Sequence, residues 1–135
     1  MARVEEDRPT VVLRVDEAWR DTPTLAEILA GLEEEGVPSL VEWSRGEAGR
    51  QAQPAAVAMA HQAARASRLE VGLGLDESGA LVLHQRRQPE GSPLLMVPGG
   101  QVNLETARAM GMNAARLVKV QPLAIPGDTQ GREAP

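Results

Sequence analysis

Short runs of β-branched and aliphatic residues alternate along this chain with segments that repeat apolar residues at helical spacing. Five runs predict strands, at residues 10–15, 38–43, 71–75, 80–84 and 94–97. Three segments predict helices, beginning near Thr22, Pro54 and Asn103. This β-α-β-α-β-β-β-α series predicts an α/β fold, a three-layer α/β/α sandwich around a mixed sheet.

Connection lengths predict the strand directions. Asp76 to Gly79 is too short for a crossover between the third and fourth strands, so this pair is predicted to be antiparallel. The helical segments between the earlier strands are long enough for crossovers. The sheet is therefore predicted to be mostly parallel, with about five strands and one of them antiparallel.

The helices carry recognisable ends. Thr22 is a candidate N-cap before Pro23, and the residues at i, i+3, i+4 and i+7 that follow are Leu25, Ile28, Leu29 and Leu32. That spacing predicts one apolar face, packed on the sheet. Gly36 and Pro38 predict the end of this helix, and Asn103 is the candidate N-cap of the last one.

Length and composition predict one domain with an aliphatic core. The chain has 135 residues, of which 42% are hydrophobic, and Trp19 and Trp43 are its only aromatic residues among Phe, Trp and Tyr. Polar and charged ends predict a disordered lead over 1–8 and a flexible tail over 121–135. The single α/β domain is predicted to span 9–120.

Charge and residue usage exclude several functions. The net charge of −5 argues against a nucleic-acid partner and against an anionic membrane surface. No cysteine is present, which excludes disulfides, thiolate catalysis and Cys-ligated metal centres. No apolar run approaches the roughly 20 residues of a membrane span, and the charged residues 1–9 lack the apolar stretch of a signal peptide. A cytoplasmic location is predicted.

Three consecutive glutamates, Glu33, Glu34 and Glu35, lie at the end of the first predicted helix. Carboxylates there face the negative end of the helix dipole and repel one another. A bound cation such as Mg2+, or a positive partner surface, would offset both effects. A solvated, charged helix end is the alternative, and one carboxylate cluster does not make a complete metal site.

No segment predicts catalysis. Gly72-Leu-Gly74 follows strand residues but lacks the third glycine and the following helix of a dinucleotide-binding turn. His61 and His84 lack ligand companions at close spacing and are interpreted as structural, and no serine has a nucleophile-elbow context. The chain is therefore predicted not to be an enzyme by itself.

The last predicted helix carries small residues on successive turns. They are Ala107, Gly111, Ala114 and Ala115. Glycine inside a helix costs roughly 1 kcal/mol relative to alanine, so Gly111 is expected to serve packing or a contact. Its small size would permit close approach to the sheet or to another subunit.

Four stretches together resemble one protein family. They are GLEEEGVP at 31–38, QAARAS at 62–67, VGLGLD at 71–76 and GMNAARLVK at 111–119. Their order and spacing resemble the small subunit of the diol/glycerol dehydratase reactivating factor, from about Val11 to Lys119. The chain departs from the family pattern in the loops 44–53 and 86–91 and at both termini.

The resemblance implies a fold like that of the dehydratase's own medium subunit and a role without catalysis. It implies a heterotetramer with a large ATPase subunit that resembles the Hsp70 chaperones, with ATP bound by that partner alone. The complex would release damaged cobalamin from an inactivated adenosylcobalamin-dependent diol or glycerol dehydratase by subunit exchange. Which diol the client uses, and whether the complex lies in a bacterial microcompartment, stay open.

The resemblance also implies a shared metal. A family glutamate reaches Mg2+ at the interface between large and small subunits. The best match is Glu34, with Glu33 and Glu35 as near alternatives, and all three are predicted interface residues. The alternative function is that of a medium structural subunit of the dehydratase itself, which is usually longer.

Overall fold

The computed structural model describes residues 8–50 and 52–121. The strands are β1 (Val11–Asp16), β2 (Ser39–Ser44), β3 (Val71–Leu75), β4 (Leu81–Gln85) and β5 (Leu95–Val97). The helices are α1 (Pro23–Glu34), α2 (Ala55–Ala66) and α3 (Leu104–Val120), with a short 3-10 turn at Glu17–Trp19. Each element predicted from the sequence is present, and the predicted bounds differ from the observed ones by at most two residues. The predicted lead and tail lie outside the described residues, apart from Arg8 and Gln121.

The five strands form one mixed sheet in the order β2-β1-β3-β4-β5. Strand β1 is parallel to β2 and to β3, whereas β4 is antiparallel to both β3 and β5. The α/β class and the five-stranded mixed sheet are confirmed. Four of the five strands run in the same direction, as predicted, and β4 runs in the opposite direction. Because the single reversed strand lies inside the sheet, two of the four neighbouring pairs are antiparallel.

The two faces of the sheet are covered by different helices. Residues at alternate positions of β1, β3 and β4 share one core cluster with α1 and α3, among them Leu13, Leu73 and Ile28. A smaller cluster on the opposite face joins α2 to β4 through Val57 and Val82. Helices on both faces make three layers, and the buried side chains are aliphatic, as the composition predicts.

Glycines in β3 let α2 lie directly on the sheet. A Cβ atom at Gly72 would lie 2.2 Å from the Ala64 nitrogen, and one at Gly74 would lie 2.5 Å from the Ala56 carbonyl oxygen. Neither distance is possible for a real side chain. The Gly-Leu-Gly segment therefore serves helix–sheet packing, and the chain continues from it into a turn and β4 rather than into a helix.

Both predicted N-caps, at Thr22 and Asn103, are confirmed. Thr22 Oγ1 accepts the Leu25 N–H at 3.4 Å, and Asn103 Oδ1 accepts the Thr106 N–H at 2.7 Å. Helix α2 instead begins after Pro54, which has no side chain able to cap it. Its Ala56 N–H bonds to Asp76 Oδ2 from the β3–β4 turn at 3.0 Å. Among the described residues, no helix is long and apolar enough to cross a bilayer.

Candidate functional site

Helices α1 and α3 cross in backbone contact beside the acidic cluster. A Cβ atom at Gly111 would lie 2.1 Å from the Ile28 carbonyl oxygen. On the other helix, a Cβ atom at Gly31 would lie 2.3 Å from the Arg108 carbonyl oxygen. The close approach predicted for Gly111 is therefore real, but its neighbour is α1 of the same chain rather than the sheet or another subunit.

One arginine of α3 bridges two carboxylates of α1. Arg108 Nη1 lies 3.0 Å from Glu27 Oε1, and its Nη2 lies 2.9 Å from Glu34 Oε1. Arg108 Nε also donates to Glu34 Oε1, at 3.0 Å. Hydrogen bonds to Glu27 and then to Glu34 raise the pKa of Arg108, so the guanidinium stays charged. The predicted metal ligand Glu34 thus already has one cation beside it.

The third glutamate of the cluster is neutralised in the same way. Lys119 Nζ lies 2.9 Å from Glu35 Oε1, and Arg116 Nη2 lies 3.4 Å from Glu35 Oε2. The hydrogen bond from Lys119 lowers the pKa of Glu35, with burial opposing the shift. Because Glu35 follows the last residue of α1, these two cations also offset its repulsion from the helix dipole.

Glu33 differs from its two neighbours. It is exposed, and no cation or hydrogen-bond donor pairs with it in the described part of the chain. It lines a shallow groove between α1 and β2 together with Leu29, Pro38 and Ser39. The structure therefore separates the three predicted interface residues: Glu34 and Glu35 face α3, whereas Glu33 borders the groove.

The ion pairs change what the cluster can do. The sequence does not show that basic residues of α3 pair with these carboxylates, and the ion pairs offset Glu34 and Glu35 without an outside cation. Arg108, Arg116 and Lys119 lie at spacings of eight and three residues, which places them along one side of α3. Within residues 8–50 and 52–121, no three carboxylate or imidazole groups come together as a metal site. The described residues by themselves supply only part of a ligand set.

The two histidines, far apart in sequence, meet inside the structure. Their ring centroids lie 4.7 Å apart between α2 and β4. His84 is fully buried, its Nδ1 accepts the Gln85 N–H at 3.0 Å, and its Nε2 bonds to the Glu90 carbonyl oxygen at 2.8 Å. Burial lowers the pKa of His84, so the ring is neutral. Both nitrogens of His84 are occupied by backbone groups, which agrees with the structural interpretation.

A family model and several known proteins match most of this chain. The family model described as dehydratase medium subunit matches residues 8–124. The chain is 36% identical over 118 residues to the probable glycerol dehydratase-reactivating factor small subunit of Citrobacter freundii, covering 86% of this chain and 93% of that protein. It is 41% identical over 98 residues to the propanediol dehydratase-reactivating factor small subunit of Salmonella typhimurium, covering 71% and 75% respectively.

Two solved structures of dehydratase reactivases have the same fold as this chain. A glycerol dehydratase reactivase chain superposes with a TM-score of 0.73 at 35% identity, covering 87% of this chain and 98% of that one. A chain of diol dehydratase-reactivating factor complexed with ADP and Mg2+ superposes with a TM-score of 0.70 at 33% identity, covering 88% of this chain and 100% of that one. The likeness therefore extends over nearly the whole length of both solved chains.

Proposed function

Because the chain belongs to the dehydratase medium subunit family, and within it to the small subunits of dehydratase-reactivating factors, we propose that it is the non-ATPase subunit of a diol or glycerol dehydratase reactivase. The observation that carries this proposal is the match to the Citrobacter small subunit over 93% of that protein's length. The match covers 86% of this chain and includes the segment with the three glutamates.

The proposed partner is a large ATPase subunit, joined to this chain in a heterotetramer. Binding and hydrolysis of ATP belong to that subunit, and this chain's share is to occupy a site that the dehydratase medium subunit can also occupy. Exchange of the two subunits would open an inactivated dehydratase and release its damaged cobalamin. A common fold for the two exchanging subunits supports this mechanism, because the chain matches the dehydratase medium subunit model. A cytoplasmic location belongs to the same proposal.

The proposed contact with the large subunit includes a shared Mg2+ bound by Glu34. A hard cation prefers oxygen ligands, and the Glu34 side chain is half exposed, so it can reach a ligand outside its own chain. The remaining ligands must come from elsewhere, since the described residues hold no complete set. The metal would join the Glu34 carboxylate to oxygen ligands of the large subunit. Glu33 and Glu35 are the proposed flanking contacts.

A second candidate function is the medium subunit of a dehydratase itself, which the name of the matching family model favours. The two functions differ in what the chain retains. A dehydratase subunit would hold cobalamin when combined with dehydratase large subunits. A reactivase subunit would instead form a stable complex with the large reactivase subunit and lose it when a dehydratase medium subunit is added.

Co-purification tests the choice. The chain is expressed with the large reactivase subunit of its own organism, and the mass of the complex is measured by light scattering with and without ATP and Mg2+. We expect a heteromer that loosens with nucleotide. Absence of any such complex, together with cobalamin retention beside dehydratase large subunits, would assign the chain to the dehydratase.

The variant Glu34→Ala tests the shared metal. We expect weaker association with the large subunit when Mg2+ is present, and an unchanged melting temperature for the isolated chain, because Glu34 is on the surface. Glu105→Ala is the matched control, since it removes an exposed carboxylate in the first turn of α3, outside the proposed contact. Equal affinity of wild type and Glu34→Ala in Mg2+ and in EDTA would remove the metal bridge.

A further inference from the structure

Strand β5 is an edge of the sheet with exposed, apolar side chains. It is the last strand in the order β2-β1-β3-β4-β5, so in the described part of the chain no strand lies beside its outer backbone groups. Leu94 is 37% exposed, and Leu95 and Met96 are each 43% exposed. Such an edge can pair with an extended segment, and native proteins usually protect it with charges or cover it.

The two edges of the sheet differ in this protection. On the opposite edge, β2 carries Glu42, which forms an ion pair with Arg14 of β1 at 3.5 Å. The run at 94–97 carries no charged residue, and Pro93 and Pro98 restrict it only in length. Strand β5 therefore fits a short, apolar, extended segment.

The end of α3 lies close to this edge. Gln85 Nε2, at the end of β4, donates to Gln121 Oε1 at 3.3 Å, and Gln121 Nε2 donates to the Leu69 carbonyl oxygen. Two residues before Gln85, Leu83 pairs with Leu95 of β5. Neighbouring strands lie about 4.8 Å apart, and residues along a strand about 3.3 Å apart. Only a few residues of extended chain are therefore needed to lead from the end of α3 to the start of β5.

The sequence that follows α3 has the composition that this edge requires. Residues 122–126 read Pro-Leu-Ala-Ile-Pro, and the nine residues after them include no large apolar side chain. In an extended chain the backbone groups of alternate residues point to opposite sides. The two prolines, which have no N–H, would point away from β5, while Leu123 and Ile125 would present their N–H and C=O groups to it. The prolines would also hinder pairing with a further strand.

We propose that residues 122–126 bind along the outer edge of β5, with the side chains of Leu123 and Ile125 covering Leu95. The flexible tail predicted from the sequence is then confined to residues 127–135. This inference is independent of the proposed function.

The topology gives the direction and the face of this contact. Strand β4 is antiparallel to β5, so the end of β4, which Gln121 contacts, lies beside the start of β5. A segment that continues from there runs parallel to β5. Leu95 pairs with Leu83 of the core beneath α1 and α3, so its side chain is on the face from which α3 approaches.

Attachment to the same chain favours this segment over a second copy as the occupant of the edge. A segment joined by a short linker has an effective concentration on the order of millimolar. A second copy reaches that concentration only in a very concentrated solution. The contact is therefore expected within one molecule, and it should not depend on protein concentration.

A single introduced thiol tests the contact, because the chain has no cysteine of its own. Leu95→Cys is prepared in the full chain and in a chain that ends at Gln121, and its rate of reaction with a maleimide is measured at low protein concentration. A segment bound for about four-fifths of the time slows this reaction about fivefold, so we expect a rate at least about fivefold lower in the full chain. Deletion of residues 128–135 is the matched control, since it keeps the apolar segment and should leave the rate low.

Two further measurements separate the contact from chain length and from the substitution at the edge. In the full chain, replacing both Leu123 and Ile125 with Asp should raise the thiol rate to that of the chain ending at Gln121. Ala109→Cys, exposed on α3, should react equally in every chain length. Hydrogen exchange at residues 94–97 requires no cysteine, and we expect slower exchange in the full chain than in the shortened one.

Three results would overturn the inference. The first is an equal thiol rate, or equal hydrogen exchange, in the full and the shortened chain. The second is protection that rises with protein concentration, because the occupant would then be a second copy. The third is protection that survives the two Asp substitutions, because the apolar side chains would then not make the contact. None of these measurements requires the large subunit, so their outcome is separate from that of the proposed function.

Discussion

The crossing of α1 and α3 leaves no room for a methyl group at Gly111, and this gives a quantitative prediction. The Cβ atom of Gly111→Ala would lie 2.1 Å from the Ile28 carbonyl oxygen, 3.0 Å from the Ile28 carbonyl carbon and 3.1 Å from the Leu32 nitrogen. All three atoms belong to the backbone of α1, which cannot rotate away as a side chain would. The helices must therefore separate locally by about 1 Å, which forfeits a quarter to a half of each contact's dispersion energy.

Two terms decide the size of the effect. Overpacking of a core costs about 1–3 kcal/mol, and the rigid neighbour places Gly111→Ala toward the upper end. Alanine returns about 1 kcal/mol through its better helix propensity. We therefore expect a net loss of about 1–2 kcal/mol in the free energy of unfolding, or about 4–8 °C in melting temperature. Gly111→Leu adds three more carbons to the same gap and should cost about 3 kcal/mol or more.

Urea denaturation of the isolated chain measures both variants. Ala109→Leu is the control, because Ala109 is exposed on the same helix and added bulk there should change stability by less than about 0.5 kcal/mol. If both Gly111 variants unfold at the wild-type urea concentration, the backbone contact between α1 and α3 is not as described. The ion pairs of Arg108 with Glu27 and Glu34, which span the same two helices, would then also be placed wrongly.

Two further predictions concern buried polar groups. The pKa of buried His84 is lowered, so the folded state favours its neutral form, and stability should fall as pH drops below about 6.5, the ordinary histidine value. The free energy of unfolding, measured from pH 8 to 5, should therefore fall for wild type and change less for His84→Gln. Equal pH dependence of the two proteins would contradict this. The Asp76 carboxylate accepts hydrogen bonds from the N–H groups of Ala56, Ser78 and Ala80. In Asp76→Asn an amide N–H would face one of these donors, so the free energy of unfolding in urea should fall by about 1–3 kcal/mol. Wild-type stability of this variant would contradict the capping of α2 by the β3–β4 turn.

The secondary structure can be predicted from the sequence because the local strand and cap preferences agree with the way the elements pack. The runs at 71–75 and the caps at Thr22 and Asn103 fall where local chemistry requires them, and the structure places them there. The order of the strands in the sheet could not be predicted from the sequence. Nothing local to Leu95–Val97 shows that this strand would pair outside β4 and so put the reversed strand inside the sheet.

The candidate site was predicted in part. The sequence predicts that the three glutamates lie at the end of α1, but the partners of Glu34 and Glu35 lie 74 to 84 residues away on α3, and no local pattern reports such pairings. The crossing partner of Gly111 was missed for the same reason, since a small residue predicts close approach without naming the neighbour. The contact of His61 with His84 likewise joins α2 to β4 and depends on the register of the sheet. Tertiary pairing, not propensity, determines these features.

Reactivation of an inactivated dehydratase would show whether this chain acts as a reactivase subunit. Diol or glycerol dehydratase is inactivated during turnover, then incubated with the large reactivase subunit, ATP, Mg2+ and fresh adenosylcobalamin, with and without this chain. We expect activity to return only when this chain and the large subunit are both present, with release of the damaged cobalamin and appearance of the chain free of the large subunit. Full recovery without the chain, or no recovery although chain and large subunit form a complex, would contradict it.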